Sequence, residues 1–246
     1  MGTQAHISEI FSSVQGEGLC AGTPMTFVRF AGCSLRCAYC DTEGSRRVGL
    51  KFRVETPPRS RRFSVCANPV SAESLSDILA PFDDGYVSVT GGEPLEQAEF
   101  LAEWLPGVSK KKVLLETNGV LPRQLKLVLP WVDIVSMDIK LPSSTCGVAR
   151  WEEHGRFLRA LVDSGRDAYL KVVLTAGTSD SDVERAISAA RSSGGAFPIF
   201  LQPASETPSF DAAVPGERLL AIARSFSAEF PDVRVMPQMH RQWGVL

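Results

Sequence analysis

Three cysteines, Cys33, Cys37 and Cys40, lie within one stretch of eight residues. They follow a strand predicted over residues 25–30, so three thiolates converge in a loop at the carboxyl end of that strand. Iron–sulfur clusters are held by thiolates, usually four, and an iron without its protein ligand can accept the amino and carboxylate groups of a small molecule. The spacing therefore predicts a four-iron, four-sulfur cluster with one open iron.

A structural zinc site, as in a non-catalytic metal-binding or interaction module, is the alternative. Such a site normally has four protein ligands in two short Cys or His pairs. No fourth partner lies near the three cysteines, since His6, His154 and His240 are all distant in sequence. The pattern favours the cluster over zinc.

A second motif, Gly91-Gly92-Glu93-Pro94, follows a predicted strand over residues 86–90. Glycines there let the backbone approach a ligand closely, and the Glu93 carboxylate can accept hydrogen bonds from a ligand's ammonium group. By itself the motif is also compatible with a strand-to-helix turn, with Pro94 near the start of the helix. Together with the cysteines it indicates a second part of the same ligand site.

The elements that must position these motifs alternate between strand and helix periods from Ser71 onward, which is typical of parallel strands joined by crossover helices. Seven strands and about six helices are one strand short of a closed eight-fold barrel. We therefore expect an α/β fold, a partial and open (β/α) barrel, as a single domain over residues 1–246, with the site at the carboxyl ends of the strands. The strands are predicted over residues 25–30, 86–90, 112–117, 132–138, 168–174, 198–202 and 233–236.

Residues 44–69 interrupt this alternation. The segment carries seven Lys and Arg residues against one acid, Glu55, and has Pro57-Pro58 in its middle. We interpret it as an inserted basic loop after the cluster motif. It is either a solvated loop, or a cover for the site, or a docking surface for an acidic electron-donor protein.

Composition and charge limit the classes of partner. The chain has 246 residues, and 26 Lys and Arg against 28 Asp and Glu give a net charge of −2, so we expect neither nucleic acid nor membrane as a partner. The first residues lack the pattern of a secretory signal, and we expect a cytoplasmic protein. The remaining cysteines, Cys20, Cys66 and Cys146, are far apart and are interpreted as packed side chains rather than disulfides.

Both motifs resemble those of the radical S-adenosylmethionine (radical SAM) superfamily. The resemblance includes the aromatic Tyr39, just before the third cysteine. Residues 9–18 and the strand that leads into Gly32-Cys33 resemble, more narrowly, the 7-carboxy-7-deazaguanine synthases. The similarity continues through residues 40–42, 90–94, 115–119, 136–140, 202–203 and 237–240, and so covers nearly the whole chain. A glycyl-radical activase shares the cluster motif and Gly-Gly-Glu-Pro, but the segment Gln15-Gly16-Glu17-Gly18 argues against that alternative.

The resemblance implies a lyase of queuosine and 7-deazapurine biosynthesis. It would convert 6-carboxy-5,6,7,8-tetrahydropterin to 7-carboxy-7-deazaguanine with loss of ammonia, and regenerate adenosylmethionine as a cofactor. The implied cofactors are a 4Fe-4S cluster, adenosylmethionine and Mg²⁺. The implied partners are an electron donor such as flavodoxin or ferredoxin and a second copy of the chain in a homodimer.

The resemblance also implies roles for single residues, with no protein side chain as the catalytic group. Cys33, Cys37 and Cys40 would hold the cluster, and Thr42 the Mg²⁺. Adenosylmethionine would contact Tyr39, Asp41, Gly92, Glu93, Ser136, Met137, Asp138, Gln202, Pro203, Ala204 and Ser205. The pterin would contact Val14, Gln15, Gly16, Glu17, Arg29, Thr90 and His240.

Several of these residues have a plainer interpretation. Arg29 suits a substrate carboxylate because its planar guanidinium pairs with carboxylates bidentately, but it could also form a structural ion pair. Thr42 could cap a turn, and His240 could be a core or surface residue. Lys140 and Glu116 either serve the site or form a salt bridge.

Overall fold

In the part of the chain that the structure describes, ten strands form one sheet, and two short strands pair outside it. A computed structural model describes residues 2–145, 147–206, 210 and 213–245, so Cys146 and the C-terminal Leu246 lie outside the described residues. The strands are β1 (Gln4–Ala5), β2 (Ile7–Val14), β3 (Pro24–Phe30), β4 (Lys51–Glu55), β5 (Phe63–Ala67), β6 (Val70–Ser71), β7 (Tyr86–Gly91), β8 (Lys112–Thr117), β9 (Ile134–Asp138), β10 (Asp167–Leu174), β11 (Ile199–Pro203) and β12 (Val233–Val235).

The sheet has the order β12-β11-β10-β9-β8-β7-β3-β2-β4-β5. All seven predicted strands are confirmed: they are β3 and β7 to β12, they lie in consecutive positions, and neighbours among them run parallel. The two ends of the order, β12 and β5, do not pair with each other in the part of the chain that the structure describes. The prediction of a partial, open barrel is therefore confirmed.

Helices follow most of the parallel strands. They are α1 (Ala72–Leu79), α2 (Ala98–Trp104), α3 (Pro122–Val128), α4 (Trp151–Ser164), α5 (Asp180–Ser192), α6 (Gly216–Ser227) and α7 (Met239–Trp243). Helices α1 to α6 pack on one face of the sheet, and α7 borders a cavity on the other side. Ser71 and Ser179 cap α1 and α5, since each hydroxyl accepts a hydrogen bond from a backbone N–H in the first turn. The described helices are all too short or too polar to cross a membrane.

The large core lies between the sheet and the helices. Alternate strand residues such as Val28, Phe30, Val87 and Val89 meet the apolar sides of the helices there. Because successive side chains of a strand point to opposite faces, their sequence neighbours must face the inside of the open barrel. This alternation decides which residues can reach a ligand.

A second, smaller apolar cluster fills the inner face. It consists of Phe11, Cys20, Met25, Phe27, Leu114, Tyr169 and Phe200, and we call it the inner plug. Its strand residues from β8, β10 and β11 lie two positions before polar residues of the same face. The inner plug therefore closes one end of the barrel and leaves the other end polar.

The structure corrects the prediction that residues 44–69 form a loop. The segment is basic and follows the cluster motif as expected, but it contains β4 and β5, an antiparallel hairpin that extends the main sheet beyond β2. The reason is that apolar and charged residues alternate along β4, as in a strand with one buried face. Phe52 and Val54 are buried in the large core, while Lys51 and Arg53 are exposed.

Two charged residues of the hairpin are also paired rather than only solvated. Arg53 contacts Glu9 of β2 at 2.6 Å, and Arg59 contacts Asp83 at 2.7 Å and Asp84 at 2.6 Å. The N-terminal motif likewise lies on a strand, since residues 7–14 form β2. The hairpin is thus part of the sheet that carries the site.

Candidate active site

A cavity of about 510 Å³ opens at the carboxyl ends of the parallel strands. Most of the predicted site residues line it: Val14, Gln15, Gly16, Glu17, Arg29, Cys33, Cys37, Tyr39, Cys40, Asp41, Thr42, Thr90, Gly92, Ser136, Asp138, Gln202, Ala204, Ser205 and His240. Three others, Glu93, Met137 and Pro203, do not. The fold thus brings residues from both ends of the chain to one cavity.

The three motif cysteines lie on one wall of this cavity as free, partly buried thiols. Burial raises the pKa of Cys33 to about 11 and raises that of Cys37, although the positive charge of Lys140 opposes the rise at Cys37. Among the described residues, no three His, Cys, Asp or Glu side chains are placed to hold one metal ion.

The two glycines of the second motif hold the cluster loop. A Cβ atom on Gly92 would lie 2.1 Å from the Gly32 carbonyl oxygen, and one on Gly91 would lie 2.2 Å from the Phe30 carbonyl oxygen. The Glu93 N–H donates to the Gly32 carbonyl at 2.7 Å. The close approach expected for a ligand is thus made by the chain's own backbone, because the cysteine loop packs directly on this turn.

Glu93 is fully buried behind the cavity wall. Its carboxylate accepts hydrogen bonds from the hydroxyl of Thr117 and from the backbone N–H groups of Leu95 and Asn118, at 2.8 to 3.0 Å. Burial outweighs these bonds and raises its pKa to about 7. In this structure the side chain fixes the strand ends around Asn118 rather than facing the cavity.

The alternation along β9 separates its three predicted residues. Ser136 and Asp138 face the cavity, whereas Met137 is buried in the large core, where its side chain lies against Gly119. A ligand in the cavity can therefore meet the side chains of Ser136 and Asp138 but not that of Met137.

The loop after β2 crosses the inside of the barrel. A Cβ atom on Gly16 would lie 2.3 Å from Nδ1 of His240, and one on Gly18 would lie 2.1 Å from the Tyr169 ring. The Gly16 carbonyl also accepts a hydrogen bond from the Met239 N–H at 3.0 Å. Glycine is required at both positions because the loop is held between α7 and the inner plug.

Glu17 is the centre of the polar contacts made by this loop. Its carboxylate forms an ion pair with Lys171 and accepts hydrogen bonds from Gln238 at 2.8 Å and Gln202 at 3.2 Å. Burial alone would raise the pKa of Glu17, but the charge and the hydrogen bond of Lys171 outweigh it, together with Gln238, and the pKa falls to about 2. Glu17 is therefore held as a carboxylate inside the cavity.

Arg29 forms an ion pair and also lines the cavity, so its position is compatible with both a structural role and contact with a substrate carboxylate. Its Nε donates to Glu9 at 2.9 Å, and its guanidinium carbon lies 5.7 Å from the centre of the Phe11 ring. The ion pair with Glu9 uses Nε, and the side chain also lines the cavity. Arg29 can thus be anchored by Glu9 and still offer its terminal nitrogens to a carboxylate.

Lys140 and Glu116 both line the cavity, but they do not pair with each other. Lys140 donates to Asp138 at 2.6 Å and to the Tyr39 hydroxyl at 3.3 Å. Glu116 accepts from Ser88 at 2.6 Å and from the Gln15 amide at 3.2 Å. The alternative of a salt bridge between them is wrong.

Sequence reasoning missed several lining residues. They are Arg46, Asn118, Lys171, Gln238 and Arg241. A signal existed for Lys171, which stands in the apolar strand β10 at the inward position two residues after Tyr169. Gln238 lies in the segment 237–240 that resembles the family, but the sequence did not indicate its contacts, to Glu17 and at 2.7 Å to Asp41, which join parts of the chain about 200 residues apart.

Two buried polar atoms on the cavity wall have no hydrogen-bond partner within the described chain. They are Oδ1 of Asp138 and Nδ2 of Asn118, one acceptor and one donor. Buried polar groups are normally paired, so these atoms are suited to the hydroxyl and amino groups of a bound ligand. With three free thiols on the same wall, the donor set fits an iron–sulfur cluster and a polar cofactor.

Comparison with known proteins agrees with this geometry. The family model of the radical SAM superfamily matches residues 27–190. The chain is 36% identical to a 7-carboxy-7-deazaguanine synthase of Geobacter sulfurreducens over 98% of both chains, and 36% identical to one of Methanopyrus kandleri over 96% of this chain and 92% of that protein.

Solved structures show the same fold at lower identity. QueE from Escherichia coli aligns with a TM-score of 0.59 and 18% identity, over 96% of this chain and 94% of that chain. A radical SAM methyltransferase from Sphaerobacter thermophilus aligns with a TM-score of 0.61 and 15% identity, over 94% and 77%. The open barrel is thus of the radical SAM type.

Proposed function

Because the chain belongs to the 7-carboxy-7-deazaguanine synthases of the radical SAM superfamily, we propose that it converts 6-carboxy-5,6,7,8-tetrahydropterin to 7-carboxy-7-deazaguanine with loss of ammonia. The observation that carries the proposal is the shared cavity. Its walls include the three cysteines, the crossing loop after β2, and Arg29. One cavity can therefore hold a cofactor against a substrate, which a radical transfer between them requires.

The cofactor supplies the difficult chemistry. When bound, a reduced 4Fe-4S cluster with adenosylmethionine supplies a 5′-deoxyadenosyl radical that removes a hydrogen atom from the substrate. Cys33, Cys37 and Cys40 would hold the cluster. Asp138 and Asn118 would take polar groups of adenosylmethionine on their unpaired atoms, and Ser136 and the 202–205 turn would line its binding site.

The substrate side has the charges that a carboxylated pterin needs. Arg29 would bind the carboxylate, since it lines the cavity and is fixed by Glu9. Val14, Gln15, Gly16 and Glu17 would present hydrogen-bonding groups to the pterin edge, with Thr90 and His240 beside them. The inner plug excludes water from below the substrate, which protects a radical from side reactions.

We propose Thr42 as a protein ligand of Mg²⁺. Its hydroxyl lies on the cavity wall, 3.9 Å from Sγ of Cys40. Mg²⁺ prefers hard oxygen ligands and keeps several waters, so few protein ligands suffice. The substrate carboxylate would supply further oxygen ligands.

The proposal extends to the setting of the enzyme. We propose one domain over residues 1–246, in which strands from both ends of the chain share one sheet. We also propose a homodimer, no nucleic-acid or membrane partner, and reduction by flavodoxin or ferredoxin. A cytoplasmic location suits the described cysteines, which are all free thiols.

The test is anaerobic turnover of the pterin by reconstituted protein with adenosylmethionine, dithionite and Mg²⁺, with the product followed by mass. We expect product from the wild type and at least about a thousandfold less from Cys37→Ala, because the radical comes from the cofactor. Cys66→Ala is the control. Its turnover should be unchanged, because Cys66 lies on β5 away from the cavity. Reductive cleavage of adenosylmethionine without the deazaguanine product would contradict the proposed substrate and retain the superfamily chemistry.

A further inference from the structure

Four charged side chains of alternating sign run across the floor of the cavity. Glu17 contacts Lys171 at 2.5 Å, Lys171 lies 3.7 Å from Asp138, and Asp138 contacts Lys140 at 2.6 Å. The row begins at Glu17, on the crossing loop after β2, and ends at Lys140. Lys140 donates to the hydroxyl of Tyr39, which lies between Cys37 and Cys40 in the sequence. We call it the charge row.

The charge row is shielded from water. The four side chains are between 9% and 13% exposed. Burial would lower the pKa of Lys171, but the charges of Glu17 and Asp138 raise it well above its ordinary value. Interactions among these groups are therefore stronger than between exposed ions, and moving one charge changes the energy of its neighbours.

Lys171 is the one member of the row that stands between two carboxylates of different subsites. It is hydrogen-bonded to Glu17, while its distance to Asp138 exceeds hydrogen-bond length. Asp138 keeps one oxygen, Oδ1, without a partner. A small displacement of the Lys171 ammonium would exchange its bond to Glu17 for one to Oδ2 of Asp138, the oxygen that already accepts from Lys140, and would leave Oδ1 free.

We propose that Lys171 is a positioning residue that couples pterin binding to adenosylmethionine binding. The inference rests on the proposed function, which places Glu17 at the pterin and Asp138 at adenosylmethionine. N–H groups of the pterin that engage Glu17 release Lys171 toward Asp138. Asp138, then held by two lysines, presents Oδ1 to the cofactor in a fixed orientation, so each ligand favours the arrangement that the other needs.

A purely structural ion pair makes a different prediction. If Lys171 only neutralises Glu17, its removal lowers stability and weakens each ligand separately, but the effect of one ligand on the other stays the same. The coupling between the two ligands, rather than either affinity, therefore distinguishes the two roles.

The experiment measures this coupling by equilibrium dialysis. The protein carries its reconstituted cluster in the oxidised state, without reductant, so that no turnover occurs. The affinity for adenosylmethionine is measured with and without saturating 6-carboxy-5,6,7,8-tetrahydropterin, and pterin binding is measured in parallel. The proteins are the wild type, Lys171→Met, the double variant Glu17→Gln with Lys171→Met, and Lys126→Met.

The controls separate coupling from misfolding. The double variant removes both charges of the pair, so no unpaired buried charge remains to unfold the protein. Lys126→Met makes the same chemical change at an exposed site on α3. Cluster absorbance and thermal unfolding report whether each variant is folded.

We expect the pterin to tighten adenosylmethionine binding on the order of fivefold in the wild type and in Lys126→Met, and about onefold in Lys171→Met. The double variant serves only as the folding control, because it also lacks the Glu17 carboxylate that the pterin would engage. The ratio measured is the affinity for adenosylmethionine with pterin divided by the affinity without it. The coupling alone would be overturned if this ratio were the same in Lys171→Met and the wild type. It would also be overturned if the ratio were one in a wild type that binds both ligands. A wild type that binds adenosylmethionine but no pterin would overturn the proposed function and the coupling with it.

Discussion

The two ends of the barrel's inner face are built on the same strands but differ completely in character. On β10, Tyr169 belongs to the inner plug, and Lys171, two residues later, stands in the cavity. On β11 the corresponding pair is Phe200 and Gln202. One end is packed and apolar, and the other end is polar and lines a cavity of about 510 Å³.

One strand therefore serves both stability and chemistry. Residues two apart on a strand share a face. On β10, Tyr169 makes an edge-to-face contact with Phe200, and Lys171, two residues later on the same face, forms the ion pair with Glu17. The plug end should govern unfolding, and the cavity end should govern cofactor and substrate binding.

The largest effect is expected where the cavity end depends on backbone packing. In Gly92→Ala the new Cβ would lie 2.1 Å from the Gly32 carbonyl oxygen, so the cysteine loop must move. We expect loss of nearly all cluster and of adenosylmethionine cleavage, measured as iron and sulfide per protein chain and as 5′-deoxyadenosine formed. Gly107→Ala is the matched control, because a Cβ there meets nothing within 4 Å; a fully loaded Gly92→Ala protein would contradict the account.

A large effect on stability, with little on the site, is expected at the plug end. Phe200 is 1% exposed, and its ring lies 5.4 Å from that of Tyr169. Phe200→Ala should lower the free energy of unfolding by about 3–5 kcal/mol through the lost contacts and the cavity left behind. Urea unfolding checks this, and adenosylmethionine affinity of the folded variant should stay within about twofold. A selective loss of that affinity with little loss of stability would remove the division between the two ends.

A smaller effect is expected from the buried carboxylate of the charge row. The pKa of Glu17 falls from 4.5 to about 2 in the folded protein. Its contribution to stability is therefore complete above pH 4.5 and is lost as the pH falls from 4.5 toward 2. At about 1.4 kcal/mol for each pKa unit, the loss amounts to about 3 kcal/mol.

Glu17→Gln should flatten the dependence of unfolding free energy on pH in that acidic window. Urea unfolding at a series of pH values measures it, and Glu99→Gln, the same substitution at an exposed site on α2, is the control. An unchanged slope in Glu17→Gln would show that Lys171 does not hold Glu17 as a carboxylate.

The sequence predicted the part of the fold that rests on local periodicity. The seven strands from β3 and β7 to β12 follow from runs of Val, Ile, Leu and Phe, and the cysteine spacing placed the cluster loop after β3. The β4–β5 hairpin was missed because its Lys and Arg residues and Pro57-Pro58 suggested a loop. Its alternation of Phe52 and Val54 with charged residues was the available signal.

The site was predictable as a set of residues but not as a set of contacts. The roles proposed for the cavity residues remain predictions, and the structure adds which side chains can reach a ligand. Met137 lies behind the wall because of strand alternation, and Glu93 because three hydrogen bonds hold it there. Gln238 joins Glu17 to Asp41 across most of the chain length, and no local pattern in the sequence contains such a contact.

The most direct test of the account is an anaerobic crystal structure of the reconstituted protein with adenosylmethionine and 6-carboxy-5,6,7,8-tetrahydropterin. The account predicts a cluster on Cys33, Cys37 and Cys40, adenosylmethionine against Asp138, and the pterin carboxylate on Arg29, all within the one cavity. A pterin bound outside this cavity, or a protein side chain on the fourth iron, would contradict it.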